Sequence, residues 1–169
     1  MMLLIEPVIP RLRRYARALL RDHAAADDLV QDSLERAVGR WHQRRGDGDA
    51  RSWLFTILHN LAMNRLRQDA RRGHHLPIEG ASPVAMAQAA DQEAALHHQD
   101  MLEALGRLPH DQRAVLLLVG VEDLSYADTA KALDVPIGTV MSRLSRARTR
   151  LREDLAGREA AIPHLRRVK

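Results

Sequence analysis

The chain has 169 residues, with 26 Lys and Arg against 22 Asp and Glu and a formal net charge of +4. It contains no cysteine, which excludes disulfide frameworks, Cys-type zinc fingers, iron–sulfur clusters and thiol catalysis, and no run approaches the roughly 18 consecutive apolar residues that a bilayer span requires. The hydrophobic fraction of 46% is made largely of Ala and Leu, with two Trp, two Tyr and one Phe, a composition that favours helices over strands. The first residues have no charged segment ahead of their short apolar stretch and no small-residue cleavage site, so the chain reads as soluble and cytoplasmic.

From Ile5 to about Arg21, Leu12, Ala16, Leu19 and Leu20 recur between arginines, and Pro7 and Pro10 restrict the helix proper to the residues after them. Ala24 to Trp41 places Ala26, Leu29, Val30, Leu34, Ala37, Val38 and Trp41 at three- and four-residue steps, an amphipathic helix. Gly46, Asp47, Gly48 and Asp49 predict a loop, after which Ser52 or Asp49 caps a third helix running to about Arg72. The periodicity fails from Gly73 to about Ala90, where Pro77, Gly80, Ser82 and Pro83 interrupt it, and a flexible or extended linker is expected.

A helical pattern resumes near Glu93 and reaches Leu108, with Pro109 as a boundary. Three further helices are expected over Asp111–Val121, Ser125–Leu133 and Pro136 to about Leu155. Ser125-Tyr126-Ala127-Asp128 has the form of a capping box, and the segment from Asp134 to Thr139 supplies a tight connection followed by another candidate cap. The expected fold is all-α: two small helical domains, residues 1–73 and 100–156, joined by an acidic linker over 74–99 and followed by a basic tail over 157–169, with a helix-turn-helix in the second.

The charge tracks this division. Residues 1–75 hold 14 Arg against 9 acids, residues 76–100 hold 4 acids and no base, residues 101–155 balance at 8 and 8, and residues 156–169 hold 4 bases against 1 acid. Lys131 and Lys169 are the only lysines. A preference for Arg suits planar, bidentate recognition of phosphate or guanine, although high genomic GC content produces the same bias.

Two helix faces are candidates for reading nucleic acid. On the last helix, Val140, Leu144, Ala147 and Leu151 form an apolar stripe able to pack on Ala130 and Leu133. Thr139, Ser142, Arg143, Arg146 and Arg150 form a second stripe suited to the major groove. The alternative is a solvated basic face, but the cap, the turn, the small residue and the basic stripe occur together in order. On the third helix Leu54, Leu58 and Leu61 point to a core, while Trp53, Asn60, Asn64, Arg67 and Arg71 share another side, where amides, an aromatic and arginines suit unpaired bases. Trp53 serves equally well as a core anchor.

Other patterns carry less chemistry. Asp28 and Asp32 share a helix face, which fits a divalent cation, the helix dipole, or docking against a basic partner. The pairs His74-His75 and His97-His98 are adjacent rather than four apart and do not have chelating spacing, so neither a metal nor another cofactor is expected. No Gly-rich phosphate loop, Walker pattern or nucleophile elbow is present, and enzymatic activity has no positive support.

The run from Asp28 to Ala37, the segment Trp53-Leu54-Phe55-Thr56-Ile57 with Asn60-Leu61-Ala62, Leu108-Pro109, and Ser125-Tyr126 through Gly138-Thr139-Val140 and Ser142-Arg143 together resemble the extracytoplasmic-function (ECF) sigma factors, over about residues 5–72 and 100–155. The resemblance implies a subunit that binds core RNA polymerase, directs it to specific promoters and assists their opening. Asp28, Leu29, Gln31 and Asp32 would dock on the clamp of the largest polymerase subunit. Asn60 and Asn64 would read a flipped base of the minus-ten element's non-template strand, and Ser142, Ser145 and Arg146 would read the minus-thirty-five element as duplex. Met141 departs from the family's usual Lys or Arg, and Ser145 is small where some members carry a bulkier contact. An anti-sigma factor is an implied partner. A stand-alone helix-turn-helix regulator, or an RNA-binding or metal-dependent enzyme using the His pairs, are the alternative readings.

Overall fold

A computed structural model describes residues 1–44, 49–72 and 92–161, with side chains from residue 99 to residue 157 in the last of these segments. All regular elements among the described residues are helical. The first group comprises α1 (Met2–Ile5), α2 (Ile9–Leu20), α3 (His23–Gly39) and α4 (Ala50–Arg71), and the second comprises α5 (Gln92–Arg107), α6 (His110–Gly120), α7 (Tyr126–Leu133) and α8 (Ile137–Ala161).

Local chemistry sets most boundaries. The prolines delay the first helix less than expected: Glu6–Val8 forms a single 3-10 turn containing Pro7, and Pro10 lies in the first turn of α2, where its missing N–H costs nothing. Asp22 caps α3 by accepting from Ala25 N at 2.9 Å, and Asp49 rather than Ser52 caps α4, accepting from Arg51 N at 3.0 Å. Ser125 accepts from Asp128 N at 3.0 Å, but its own hydroxyl donates to Asp128 Oδ2 at 2.6 Å, so the acid is held by the cap's side chain. Thr139 is no cap; it lies inside α8, with its N–H donating to Pro136 O at 2.9 Å. Helix α5 takes in residues 92–99, expected in the linker, and α8 continues to Ala161, into the expected tail. The rest of the expected linker, residues 74–91, and most of the Gly46–Asp49 loop fall outside the described residues.

Most residues of the expected apolar stripes are buried, but Leu34, Trp41 and Leu151 are half-buried and Val38, at the end of the α3 stripe, is 48% exposed. Leu54, Phe55, Leu58 and Ala62 of α4 share a core with Leu12, Tyr15, Ala16 and Leu19 of α2, while Val140 and Leu144 of α8 share it with Val115, Leu118, Leu124 and Ala132, and Ala147 is also buried. These are not two separate interiors. Helix α4 packs on α7 and α2 packs on α6, so the buried apolar residues form one continuous cluster across both groups.

Two polar devices are built into this interior. Tyr15 and Phe55 meet edge to face with ring centroids 5.5 Å apart, and the Tyr15 hydroxyl lies 2.9 Å from His59 Nδ1. Burial raises the phenol's pKa, so it stays protonated and donates to a neutral imidazole. Burial, then the Arg143 and Arg67 charges, push His59 down to about 4. Arg113, also buried, donates to the carbonyl oxygens of Leu105, Gly106, Leu108 and, from the other group, Leu19. Burial and the nearby Arg21 charge lower its pKa to about 10, which leaves it charged at neutral pH.

Because His59 binds its proton more weakly folded than unfolded, its contribution to stability is fully present above about pH 6.5 and is lost as the pH falls toward 4, at up to about 1.4 kcal/mol per pH unit. His59→Gln is expected to flatten the fall in urea-denaturation stability between pH 7 and pH 5.5. Arg113→Met should cost about 3 kcal/mol or more in the same measurement at pH 7, because four carbonyls lose a charged donor at once.

Candidate nucleic-acid interface

The two candidate faces lie on the two longest helices. On α4, Asn60, Asn64, Arg67 and Arg71 are exposed and succeed one another at helical spacing along the side opposite Leu54, Leu58 and Leu61. Arg67 donates to Asn64 Oδ1 at 3.2 Å, which leaves the Asn64 amide hydrogens directed outward as donors. His59, Asn60, Met63, Asn64 and Arg67 form one wall of a cleft whose other wall is Leu133 and Asp134, the turn between α7 and α8. Asp134 occupies the left-handed region at φ 53°, which ends α7 and turns the chain into α8.

Trp53 is set apart from this row. It is half-buried against the core and meets Trp41 edge to face at 5.9 Å, while the Arg44 guanidinium lies 5.0 Å from the Trp41 ring centre. The structure thus brings Asn60, Asn64, Arg67 and Arg71 together and gives Trp53 a packing role beside them.

On α8, Ser142, Ser145, Arg146 and Arg150 are exposed and Thr139 is half-buried. Arg143 differs: its side chain is 27% exposed and its Nε lies 3.1 Å from Asp111 Oδ2, so it ties α8 to the first turn of α6. Beside Leu144 of the apolar stripe, the helix carries residues that the periodicity argument did not single out. Tyr126, Met141, Leu144, Ser145, Arg148, Thr149 and Arg152 line a shallow groove between the start of α7 and the middle of α8. Exposed Tyr126 could have been found from its place at the first residue after the Ser125 cap, on the entry to the helix-turn-helix.

On α3, Asp28, Gln31 and Asp32 are exposed, with Gln31 donating to Glu35 Oε1 at 3.1 Å. Leu29 was expected beside them but is only 3% exposed and packs in the core, because the helix turns it 100° away from Asp28. Asp27, not Asp28, is paired, lying 3.0 Å from the Arg17 guanidinium. Among the described residues no group of three or more His, Cys, Asp or Glu side chains is placed to hold a metal ion, and no helix is long and apolar enough to cross a membrane. Both histidine pairs lie outside the described side chains.

These two halves match two known domain families in order. Residues 5–59 match the sigma2 domain of PhyR, and residues 98–151 match sigma-70 region 4. The ECF RNA polymerase sigma factor EcfG of Rhodopseudomonas palustris is 36% identical over 147 residues, 87% of this chain and 80% of that protein. The chain belongs to the ECF RNA polymerase sigma factors. ECF sigma factor SigM of Mycobacterium tuberculosis is 40% identical over 141 residues, covering 83% of this chain and 69% of its own length. The sigma factor RpoE of Bartonella quintana, solved in complex with the anti-sigma factor NepR, superposes with a TM-score of 0.75 at 37% identity over 90% of this chain and 94% of that one. In this ECF sigma factor the α4 row lies wholly beyond the end of the sigma2 match, starting at the next residue, and the α8 face lies inside the region 4 match.

Asp111→Asn is expected to free Arg143 and loosen the α6–α8 contact. Its loss of stability should be about 1 kcal/mol or less, since both side chains are partly exposed. Urea denaturation of the single and double variants with Arg143→Gln reads the coupling directly.

Proposed function

We propose that this chain binds core RNA polymerase, directs it to specific promoters and assists their opening. The observation that carries the reading is that one chain matches sigma2 and then region 4, and two exposed, chemically different helix faces support it. The Asn60–Asn64–Arg67 row suits an unstacked base, since amides can pair with Watson–Crick edges while the arginines hold phosphates. The exposed Ser142–Ser145–Arg146 face suits duplex, where Arg bonds guanine and the small hydroxyls meet base edges or phosphate. Opening is then assisted because a base captured on α4 no longer contributes to the stack, a cost of a few kcal/mol per base that the pocket offsets.

Asp28 and Asp32, exposed and without an ion-pair partner among the described residues, form with Gln31 the surface for polymerase docking. A basic partner surface gains more from acids that are not already neutralised within the chain. Bartonella RpoE was solved with an anti-sigma factor, and by analogy this protein is held inactive by a partner of that class. It acts in the cytoplasm, as a regulatory protein and not as an enzyme.

Transcription with purified core polymerase across genomic DNA tests the reading. Discrete new start sites that require this protein are expected, and tight sequence-specific duplex binding by the protein alone, with no effect on polymerase, would replace it with a stand-alone regulator. Arg146→Ala should weaken use of promoters that depend on the upstream element by about 1–3 kcal/mol of recognition. Asn60→Ala should slow open-complex formation, read by permanganate reactivity of unpaired thymines, with little change in core affinity. Asp28→Lys should weaken core binding in a pull-down or fluorescence titration, and an unchanged affinity would remove Asp28 from the docking surface.

A further inference from the structure

Two internal hydrogen bonds decide what α4 shows to the cleft along its Asn60–Asn64–Arg67 row. The first runs from the core. Tyr15 is 1% exposed, and its hydroxyl lies 2.9 Å from His59 Nδ1, its one hydrogen-bond partner among the described residues. A buried hydroxyl hydrogen needs an acceptor, so it is donated to Nδ1, and the ring's own hydrogen is left on Nε2. Burial keeps that ring neutral, with its pKa pushed down to about 4. The ring is mostly buried, but one edge lines the cleft. Among the described residues the buried side-chain nitrogens and oxygens without a partner are Gln112 Oε1 and Thr129 Oγ1, so His59 Nε2 is open to solvent there. His59 thus offers the cleft an N–H and no lone pair.

The second bond lies along the helix surface. An arginine can only donate, so the Arg67 guanidinium, 3.2 Å from the Asn64 amide, fixes the amide oxygen as the end that turns toward it. The Asn64 NH2 is left facing away, again as a donor. Asn60 has no such constraint and keeps both ends of its amide available. The buried carboxylate of Glu122 is taken up by Arg11 and Arg14 of α2, each Nε donating to one oxygen at 2.9 Å. The one carboxylate that lines the cleft, Asp134, stands on the opposite wall.

Bases differ in the property this wall selects. Thymine and guanine carry a carbonyl oxygen where cytosine and adenine carry an amino group. A carbonyl facing a donor makes a hydrogen bond, whereas an amino group facing a donor opposes two N–H groups, and each gives up water without gaining an acceptor. The cleft holds about 370 Å³, room for one base.

Resting on the proposed function, we propose that His59 is a further base-contacting residue, and that Tyr15 and Arg67 are positioning residues that make His59 and Asn64 donors only, so that α4 selects keto bases over amino bases. Asn60, free to present either end of its amide, supplies the contact common to all four.

Thymine and 5-methylcytosine have the same outline and differ in the exchange of the O4 carbonyl for an amino group, together with the N3 hydrogen. Fluorescein-labelled single-stranded decamers of each, titrated by anisotropy with the full chain alone and with its complex with core polymerase, read the selection. The parent should bind the thymine decamer about tenfold more tightly. Arg67→Met frees the Asn64 oxygen, and Tyr15→Phe lets the imidazole hydrogen move to Nδ1 so that Nε2 can accept. Each should lower the ratio several-fold, and the two together should bring it near one. Loss of a phosphate contact or a damaged fold weakens both decamers alike and leaves the ratio where it was. Circular dichroism checks helicity, and if Tyr15→Phe loses it, Arg67→Met carries the comparison from the exposed side. A ratio of one in the parent, a ratio unchanged in the folded variants, or binding of neither decamer would overturn the selection. So would a preference for 5-methylcytosine that Asp134→Asn abolishes, which would assign the choice to the opposite wall. Promoter-directed transcription with a ratio of one would keep the functional reading and remove the selection. Selection that the variants abolish, with no promoter-directed transcription by any form, would keep the donor surface and remove the reading on which its role depends.

Discussion

A carboxylate withdrawn from water must be neutralised where it stands, and Glu122 can be neutralised only from across the boundary between the two helical groups. That requirement fixes the relation of the halves. It brings α2 against α6, and with it the apolar residues that merge two interiors into one. Arg113 adds a second constraint of the same kind, because its guanidinium satisfies three carbonyls at the end of α5 and one at the end of α2. Helix ends leave carbonyls without partners, and a buried arginine gathers several of them at once. The hydrophobic contact between the groups is non-directional; these ions choose its register.

The same arrangement separates two kinds of arginine. Arg11, Arg14, Arg113 and Arg143 are engaged by the protein's own acids or carbonyls, whereas Arg67, Arg71, Arg146 and Arg150 are exposed on helix faces. Arg71, Arg146 and Arg150 are open to phosphates without first giving up an ion pair or a buried carbonyl, and Arg67 gives up at most its exposed hydrogen bond to Asn64. A modest net charge of +4 therefore understates the basic character of α4 and α8, since much of the remaining positive charge is neutralised inside the fold.

Helix positions were legible in the sequence because the chain is written in three- and four-residue steps of Leu, Val and Ala, and the caps at Asp49 and Ser125 have short-range chemistry. The exposed row of Asn60, Asn64, Arg67 and Arg71 was legible for the same reason. What periodicity could not convey is a partner more than a hundred positions away: nothing near Arg11 or Arg14 distinguishes them from solvated charges, and Glu122 reads as a surface residue after a helix. Leu29 and Arg143 were misplaced by a related limit. A motif names consecutive residues as a unit, whereas a helix distributes them around its axis, so Leu29 turns to the core and Arg143 to Asp111.

On α4 neighbouring residues answer to different demands. His59 is locked to Tyr15 in the interior, and Asn60 beside it faces solvent. Substitutions at the outward positions can therefore alter what the helix recognises while its packing partners stay as they are. One scaffold can in this way diversify into many regulators, each answering to a different set of genes, without having to solve its folding problem again.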